Sequence, residues 1–310
     1  MVPRGRRRAA CYRRCVLRQT PVVARGALYF KLENLQVTGS FKARGAWRKL
    51  RAMPAEVRAR GVVAASAGNH GQGLAYAARH VGAAVTVYVP ETTPAVKRDA
   101  IARLGARVVV EGAGYDAAEA AARAAARATG AAFVSPFDDD DVIEGNGGGL
   151  ADELVAQIPD LARVIAPVGG GGLIAGLVRR LRPRGIDVAG AQPRANCAMY
   201  ESLRQGRALT HYRGAPTIAE GCEGAVCERT FAAVRDGVAE IGLVSEEAIR
   251  AAVAWCYRRL GQIVEPTGAV AVAAVRSGAV AAAPAGATAI VVTGGNVDPD
   301  LFEACIAASV

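Results

Sequence analysis

The chain has 310 residues, of which 52% are hydrophobic and 5% aromatic, with 36 glycines and 14 prolines. These numbers exclude a collagen, a disulfide-rich miniprotein and a disordered chain, and the length allows one or two domains with a full core. The net charge of +10 would ordinarily indicate nucleic acid or an anionic membrane, but residues 1–25 hold eight arginines and no acid, which leaves +2 for the rest. We therefore predict a basic N-terminal arm at 1–25 and no nucleic-acid or membrane partner for the fold.

Lysine is rare in this chain. Only four of the 38 basic residues are lysines, at positions 31, 42, 49 and 97. A chain that uses arginine so widely is expected to keep lysine where a guanidinium cannot replace it. The chief such task is that of an amine that loses its proton and forms an imine.

The seven cysteines, at positions 11, 15, 197, 222, 227, 256 and 305, form no C-x-x-C pair. An odd, scattered set favours small buried side chains in a reducing compartment over a disulfide framework or a zinc site. No run of about 18 apolar residues is present, so no transmembrane helix is expected. We predict a cytoplasmic protein without a metal site.

From residue 26 onward, short β-branched runs alternate with longer alanine-rich segments. The predicted strands are 62–65, 85–89, 108–110, 164–168 and 289–293. The predicted helices are 71–80, 94–104, 115–129, one that ends at Leu181 and one from about 299. Strands that alternate with helices of this length predict βαβ units, and hence an α/β fold with a parallel or mostly parallel sheet.

Three polar or glycine-rich turns follow predicted strands, at residues 66–71, 169–172 and 294–296. Ligands of such sheets bind at the carboxyl ends of the strands. Four consecutive glycines before a helix can wrap an anion in backbone N–H groups, which favours a phosphate at 169–172. No lysine follows these glycines and no G-x-G-x-x-G opens the first βα unit, so a nucleotide P-loop and a dinucleotide site are disfavoured.

Lys42 follows Gly39, Ser40 and Phe41, and is a candidate imine former. Spacing alone leaves the alternative of an ordinary surface lysine open, just as residues 66–70 could be a simple helix cap with a structural His70. An amine, a phosphate cradle and a polar loop together indicate one cofactor, pyridoxal 5′-phosphate (PLP).

The chain resembles the serine/threonine dehydratases among the tryptophan-synthase-β-like, fold type II PLP enzymes, which are related to serine racemase. The matching stretches are residues 31–36, 38–46, 66–71, 136–139, 167–173, 217–221, 265–269 and 293–298. The resemblance implies an α/β, two-domain fold type II enzyme with mostly parallel sheets and helices on both faces. It further implies a large PLP-binding domain of residues 1–47 and 139–310, a small substrate domain of residues 48–138, and a homodimer.

The same resemblance implies a role for each matching site residue. Lys42 would form the imine with PLP, Phe41 would pack against its ring, and Thr293 would face its ring nitrogen. The phosphate cradle would consist of Gly169, Gly170, Gly171, Gly172 and Leu173. The substrate carboxylate would be held by Ser66, Gly68, Asn69 and His70, and Asn69 would also bond the 3′-oxygen of the ring.

The implied activity is the α,β-elimination that converts L-threonine or L-serine into 2-oxobutanoate or pyruvate plus ammonia. A different 3-hydroxy amino acid (hydroxyaspartate, phenylserine or a hydroxyectoine-derived substrate) is an open alternative. Racemisation is disfavoured because Ala67 stands where serine racemases carry a serine that acts as acid and base. A β-replacement synthase is disfavoured because such relatives usually have Asp in place of Ala43 and Thr in place of His70.

Several departures from the family pattern affect these expectations. Gln192 and Ala198 stand where cation-binding members have acids, so no cation site of that kind is expected. Residues 145–148 replace a G-Q-G-T stretch and Glu220 replaces an aspartate, which leaves the pocket for the substrate side chain open. The segment before Lys31 is shorter than usual, which predicts the loss of a packing helix. No regulatory domain follows residue 310, so feedback through one is not expected.

Overall fold

The computed structural model describes residues 16–308. The first fifteen residues of the predicted basic arm, with Cys11 and Cys15, lie outside the described residues. The strands are β1 (Val22–Arg25), β2 (Leu28–Leu32), β3 (Val62–Ala65), β4 (Val85–Val89), β5 (Arg107–Val110), β6 (Ala132–Phe133), β7 (Leu161–Pro167), β8 (Asp187–Pro193), β9 (Glu240–Val244) and β10 (Ala287–Val292).

The α-helices alternate with these strands along most of the chain. They are α1 (Lys42–Ala52), α2 (Ala55–Ala59), α3 (Asn69–Val81), α4 (Ala95–Arg103), α5 (Tyr115–Thr129), α6 (Asp140–Ile143), α7 (Gly149–Gln157), α8 (Gly172–Leu181), α9 (Ala198–Gln205), α10 (Glu228–Gly237), α11 (Glu246–Trp255), α12 (Pro266–Arg276) and α13 (Pro299–Ala307). Two π-helical segments, Glu144–Gly148 and Cys256–Leu260, continue α6 and α11.

The strands form two sheets. The larger has the order β1-β2-β10-β7-β8-β9, and β1 and β2 form its antiparallel pair. The smaller has the order β5-β4-β3-β6 and is parallel throughout. This arrangement confirms the predicted α/β class with mostly parallel sheets. The domain boundaries given above stay a prediction.

Successive residues of the central strands point to opposite faces of the large sheet, because side chains alternate along a strand. Val164 packs with α7, α8 and α10 on one face, whereas its neighbour Ile165 packs with α11 and α12 on the other. The small sheet repeats the pattern: Val62 packs with α1 and α3, and Val63 with α5. Helices therefore cover both faces of both sheets, as the resemblance predicts.

The predicted elements match the structure where their hydrophobic pattern is clear. The strands Val62–Ala65 and Val85–Val89 and the helix Tyr115–Thr129 have the predicted bounds. Helix α3 begins two residues earlier than predicted, at Asn69. Strand β7 begins three residues earlier, at Leu161, and β10 begins two residues earlier, at Ala287.

The shortened segment before Lys31 folds as a hairpin. Strands β1 and β2 pair antiparallel from Val22–Lys31 to Arg25–Leu28, and Gly26 in the turn between them has φ +62°. No helix lies between Thr20 and Lys31, a span that falls wholly within the described residues.

Helix α1 connects the two sheets. Leu50 near its end lies in the core under the small sheet, whereas Phe41, just before its first residue, donates its N–H to the carbonyl of Thr293 beyond β10 at 3.1 Å. A buried ion network fixes the helix between them. Arg44 reaches Glu33 with Nε at 2.7 Å and Glu153 with Nη1 at 2.7 Å. The first turn of α1 is thereby held at the carboxyl ends of the strands.

Candidate active site

The loop before α1 and the turn after β10 are joined along their length. Gly295 donates to the carbonyl of Gly39 at 2.9 Å, and Ser40 pairs with Gly294. Gly39 adopts φ +73°, a left-handed conformation that side chains rarely take, and a Cβ there would overlap the side chain of Asn296. Lys42 is therefore presented from a loop with little freedom.

Lys42 differs from the other three lysines in its partners. Lys31 pairs with Glu153 at 2.6 Å, Lys49 with Asp139 at 2.7 Å and Lys97 with Glu220 at 2.5 Å. Within residues 16–308, Lys42 has no carboxylate within ion-pair distance, and its Nζ donates to the carbonyl of Pro136 at 3.2 Å. The imine-forming role of Lys42 stays a prediction, and an amine that donates to a carbonyl without a carboxylate partner in these residues fits it.

Burial lowers the pKa of the half-buried Lys42 amine to about 8, although the nearby Glu265 opposes the shift. The ring of Phe41 lies beside the amine, with its centroid 5.1 Å from Nζ. An amine with such a pKa exists partly in the neutral form near pH 7, which is the form that reacts with a carbonyl and accepts a proton.

The glycine run Gly169–Gly172 leaves β7 and enters α8. A Cβ at Gly170 would overlap the ring of Phe137, and one at Gly172 would lie 3.0 Å from Phe137 Cα. Gly171 has φ +90°, and Thr230 fixes the run by donating from Oγ1 to the carbonyl of Gly170 at 2.7 Å. These glycines are therefore required by close packing and not only by flexibility.

The start of α8 supplies anion-binding groups at the same place. The first N–H groups of a helix have no partner within the helix, and the helix dipole adds partial positive charge. Leu173, in the first turn, is buried at 5% exposure. Because Pro136 contacts Lys42 and Phe137 packs on the glycines, the lysine and the predicted cradle lie on either side of one dipeptide.

The turn after β3 uses its serine as an internal cap. Ser66 Oγ accepts from the N–H of Gly68 at 3.2 Å and of Gly71 at 3.1 Å, which explains why α3 begins at Asn69. Asn69 donates from Nδ2 to Glu265 Oε1 at 2.8 Å. The helix start and this amide bring the turn towards the loop that carries Lys42.

His70 is buried and donates from Nε2 to the carbonyl of Val134 at 3.0 Å, and its Nδ1 has no partner among the described residues. Burial, together with the charge of Lys42, lowers the pKa of His70 to about 3. The ring is therefore neutral at pH 7. What His70 can offer to an anion is its backbone N–H in the first turn of α3.

Three buried hydroxyls on residues beside the turn after β10 have no hydrogen-bond partner in the part of the chain that the structure describes: Thr293 Oγ1, Ser40 Oγ and Thr38 Oγ1. Buried polar groups are normally paired, so an unpaired hydroxyl indicates a missing partner. Thr293, which is predicted to face the ring nitrogen, is 2% exposed. The Lys42 amine, which has no carboxylate partner in the described residues, the unpaired hydroxyl of Thr293 and the glycine run fit a group with a carbonyl, a heterocyclic nitrogen and a phosphate, as PLP has.

Two residues of the matching stretches, to which the sequence analysis assigns no role, lie beside this site. Glu265 lies against Asn69 and Gly294, and Phe137 forms one wall of the glycine run. Both lie in stretches that match the family, and no other feature of the sequence indicates that they belong to the site. Their positions depend on distant segments that meet at the carboxyl ends of the strands.

Two residues that depart from the family pattern form hydrogen bonds within the protein. Gln192 donates to the carbonyl of Val168 at 3.1 Å and accepts from the N–H of Tyr200 at 2.9 Å. Asn146, in the Glu144–Gly148 segment, accepts from the N–H of Gly45 at 2.9 Å. Among residues 16–308 no group of three acidic, histidine or cysteine side chains is placed to hold a metal ion, and no helix there has the length and hydropathy to cross a membrane.

Comparison with known proteins finds matches along most of the chain. The family described as pyridoxal-phosphate dependent enzyme matches residues 16–294. An L-threonine ammonia-lyase of Thermotoga maritima is 41% identical over 290 residues, which cover 92% of this chain and 71% of that protein.

Two solved structures share the fold. The threonine deaminase isoform 2 of Solanum lycopersicum, in its processed form, superposes with a TM-score of 0.88 and 30% identity, covering 95% of this chain and 89% of that one. The serine racemase of Dictyostelium discoideum superposes with a TM-score of 0.84 and 34% identity, covering 91% of this chain and 94% of that one.

Proposed function

The chain belongs to the pyridoxal-phosphate dependent enzymes, and from this premise we propose that it is an ammonia-lyase that converts L-threonine, and L-serine in second place, to a 2-oxo acid and ammonia. The observation that carries the proposal is Lys42, a half-buried lysine without an ion-pair partner in residues 16–308 and with a pKa of about 8. The identity to a threonine ammonia-lyase supports the choice of substrate.

The residues of the site would hold the cofactor in the way that their free groups allow. Lys42 would bind it covalently, Phe41 would pack on its ring, and Asn69 and Thr293 would bond its ring oxygen and ring nitrogen. The N–H groups of Gly169–Gly172 and Leu173 would hold its phosphate. When bound, PLP supplies an electron sink that stabilises negative charge at the α-carbon of an amino acid.

Lys42 is placed to move the proton. Its Nζ is half-buried and donates to the carbonyl of Pro136, so the amine is positioned without a permanent counter-charge. In the neutral form it can accept the α-proton of the substrate, and with a pKa of about 8 it can return that proton near neutral pH. Thr293 has a hydroxyl that carries no charge, so opposite the ring nitrogen it would leave that nitrogen largely unprotonated, which would favour elimination over transamination.

The substrate carboxylate would be held by N–H groups and not by a cation. The first turn of α3 presents backbone N–H groups from Asn69 and His70, and His70 is neutral at pH 7 because its pKa is about 3. Ser66 accepts from Gly68 and Gly71 and keeps its own hydroxyl proton for the carboxylate. Such a site recognises any α-amino acid, and specificity must come from elsewhere in the cleft.

Racemisation is the second candidate function, because the serine racemase of Dictyostelium discoideum has the same fold and covers most of the chain. Ala67 follows Ser66, and its methyl side chain can neither donate nor accept a proton. A racemase needs an acid or base on each face of the α-carbon, and here Lys42 serves one face. Elimination is therefore expected to exceed racemisation.

The finer expectations on assembly and compartment are part of the same proposal. We expect a homodimer, as is usual in the family, and a cytoplasmic location. The described cysteines at positions 197, 222, 227 and 256 are free, which is the state that a reducing compartment maintains. Light scattering on the purified holoenzyme would test the dimer directly.

The test of the function is a substrate panel. The holoenzyme is incubated with L-threonine, L-serine, hydroxyaspartate and phenylserine, and the release of 2-oxo acid and of D-serine is followed. We expect L-threonine to give the highest kcat/KM and D-serine to remain minor beside pyruvate. Faster turnover of another 3-hydroxy amino acid, or D-serine in excess of pyruvate, would contradict the assignment.

A further inference from the structure

Glu265 is an acidic side chain beside the candidate active site, and the proposed elimination reaction assigns it no role. It precedes α12, its N–H donates to the carbonyl of Gly294 at 3.1 Å, and a Cβ on Gly294 would overlap its Oε1. Its carboxyl group thus occupies the space that the glycine leaves free, one residue from Thr293. Its Oε1 accepts from Asn69 Nδ2 at 2.8 Å.

A chain of hydrogen bonds with a single direction runs through Asn69. The carbonyl oxygen of Thr38 can only accept, so the group of Asn296 that lies 2.8 Å from it must be the donor Nδ2. The same Nδ2 lies 2.7 Å from Asn69, which must therefore present Oδ1 to it. The other end of the Asn69 amide is then Nδ2, directed at Glu265.

This direction determines what Asn69 can offer to a ligand. Nδ2 carries two hydrogens, one of which is donated to Glu265, and the second is free to donate to an oxygen that bears negative charge. Were the amide reversed, it would present a carbonyl oxygen and repel such a group. Asn296 fixes one end of the amide from the turn after β10, and Glu265 fixes the other from the position just before α12.

We propose that Glu265 is a positioning residue that, by accepting from Asn69 Nδ2, fixes the amide so that it donates to the ring oxygen of the bound cofactor. The inference rests on the proposed function, since it assumes that Asn69 meets PLP.

The acceptor role survives a change of protonation. Burial raises the pKa of Glu265 to about 7, Glu220 adds to the shift, and Asn69, Lys97 and Lys42 oppose it. Both the carboxylate and the carboxylic acid keep an oxygen that accepts from an amide. The geometry is therefore expected to hold on either side of neutral pH, and a variant that keeps only the acceptor should keep the function.

The experiment compares the PLP affinity of three variants. PLP is first removed from each holoenzyme, and the resulting apoenzyme is then titrated with PLP. Glu265→Ala removes the acceptor and is expected to weaken PLP binding about tenfold, the size of one hydrogen bond to a charged group. Glu265→Gln keeps an accepting Oε1 and is expected to stay within about twofold of the wild type. Glu303→Gln, at an exposed glutamate of α13, is the matched control and should leave the affinity unchanged.

Action through Asn69 is tested by a double-mutant cycle. With Asn69→Ala already present, Glu265→Ala should cause no further loss of PLP affinity. An equal loss in both backgrounds, or a Glu265→Gln variant as weak as Glu265→Ala, would overturn the proposal. If Glu265→Ala does not fold, Asn296→Asp gives the same test from the other end, because an aspartate cannot donate to Asn69 and should weaken PLP binding. A wild-type chain that binds no PLP would contradict the proposed function instead.

Discussion

The Nζ of Lys42 and the carbonyl oxygen of Pro136 are 3.2 Å apart. A carbonyl dipole offers an ammonium group far less compensation than a carboxylate does, so burial makes the charged form unfavourable. The same dipeptide, through Phe137, packs against the glycine run. One short segment after Val134 therefore sets both the protonation of the lysine and the shape of the predicted phosphate cradle.

The first prediction concerns the amine itself. Lys42→Ala should lower turnover of L-threonine by about 10²-fold or more, because it removes the proton acceptor and the covalent attachment. Borohydride reduction followed by mass spectrometry should find PLP on residue 42 of the wild type and on no residue of the variant. Lys49→Ala, on the same helix and paired with Asp139, is the matched control and should keep activity. Full turnover by Lys42→Ala would disprove the mechanism.

The second prediction is a dependence of stability on pH. The pKa of Lys42 is about 8 in the folded chain against 10.5 for the unfolded residue. Between these values the unfolded state binds more protons, so the stability of the apoenzyme rises with pH, and the cost of the buried charge is complete below pH 8.

Lys42→Met removes that cost. The variant apoenzyme should melt higher than the wild type at pH 7, by about 2 °C for each kcal/mol relieved. The gap in Tm should narrow as the pH rises from 7 to 9.5, where the wild-type lysine loses its proton. Calorimetry on both apoenzymes gives the comparison, and a gap that is constant across this range would show that Lys42 is not desolvated.

How far the site could be predicted from sequence differs between its parts. Lys42 stands out through the rarity of lysine, and the glycine run through its place between a strand and a helix. Glu265 and Asn296 could not be assigned, because their meaning lies in a contact between Asn69 and two segments about 200 residues further on.

The fold shows the same division. Strands β3 and β4 are unbroken apolar or alternating runs and were predicted with their bounds. Strand β8, with the sequence DVAGAQP, was missed because glycine, proline and a polar end obscure its pattern, although it is buried between β7 and β9. The π-helical segment Glu144–Gly148 was also missed, since close packing of Gly147 against α8 decides it.

The third prediction separates two threonines by the state of their hydroxyls. Thr293 Oγ1 is buried and unpaired within the described residues, whereas Thr230 Oγ1 donates to the carbonyl of Gly170. Thr293→Val should leave the apoenzyme as stable as before or slightly more stable, and should weaken PLP binding about tenfold. Thr230→Val should instead destabilise the apoenzyme by about 1 kcal/mol.

Thermal melts and PLP titrations of both valine variants decide the matter. The two variants should change the stability of the apoenzyme in different directions. Replacing a hydroxyl by a methyl group lowers stability when the hydroxyl is hydrogen-bonded, and does not when the buried hydroxyl has no partner in the apoenzyme. If Thr293→Val destabilises the apoenzyme as Thr230→Val does, Thr293 is an ordinary structural residue.

The fourth prediction concerns the glycine run. A methyl group at Gly170 would overlap the ring of Phe137, while one at Gly149, in the first turn of α7, meets open space. Gly170→Ala should therefore displace Phe137 and, through Pro136, the acceptor of Lys42, so that both PLP affinity and the pKa of the amine change. Gly149→Ala should stabilise the chain by about 0.5–1 kcal/mol, because alanine costs less than glycine in a helix.

The rate of amine labelling at Lys42 against pH reports the pKa in each apoenzyme. A Gly170→Ala variant with weakened PLP binding but an unchanged labelling profile would show that the cradle and the lysine are not coupled through Pro136 and Phe137.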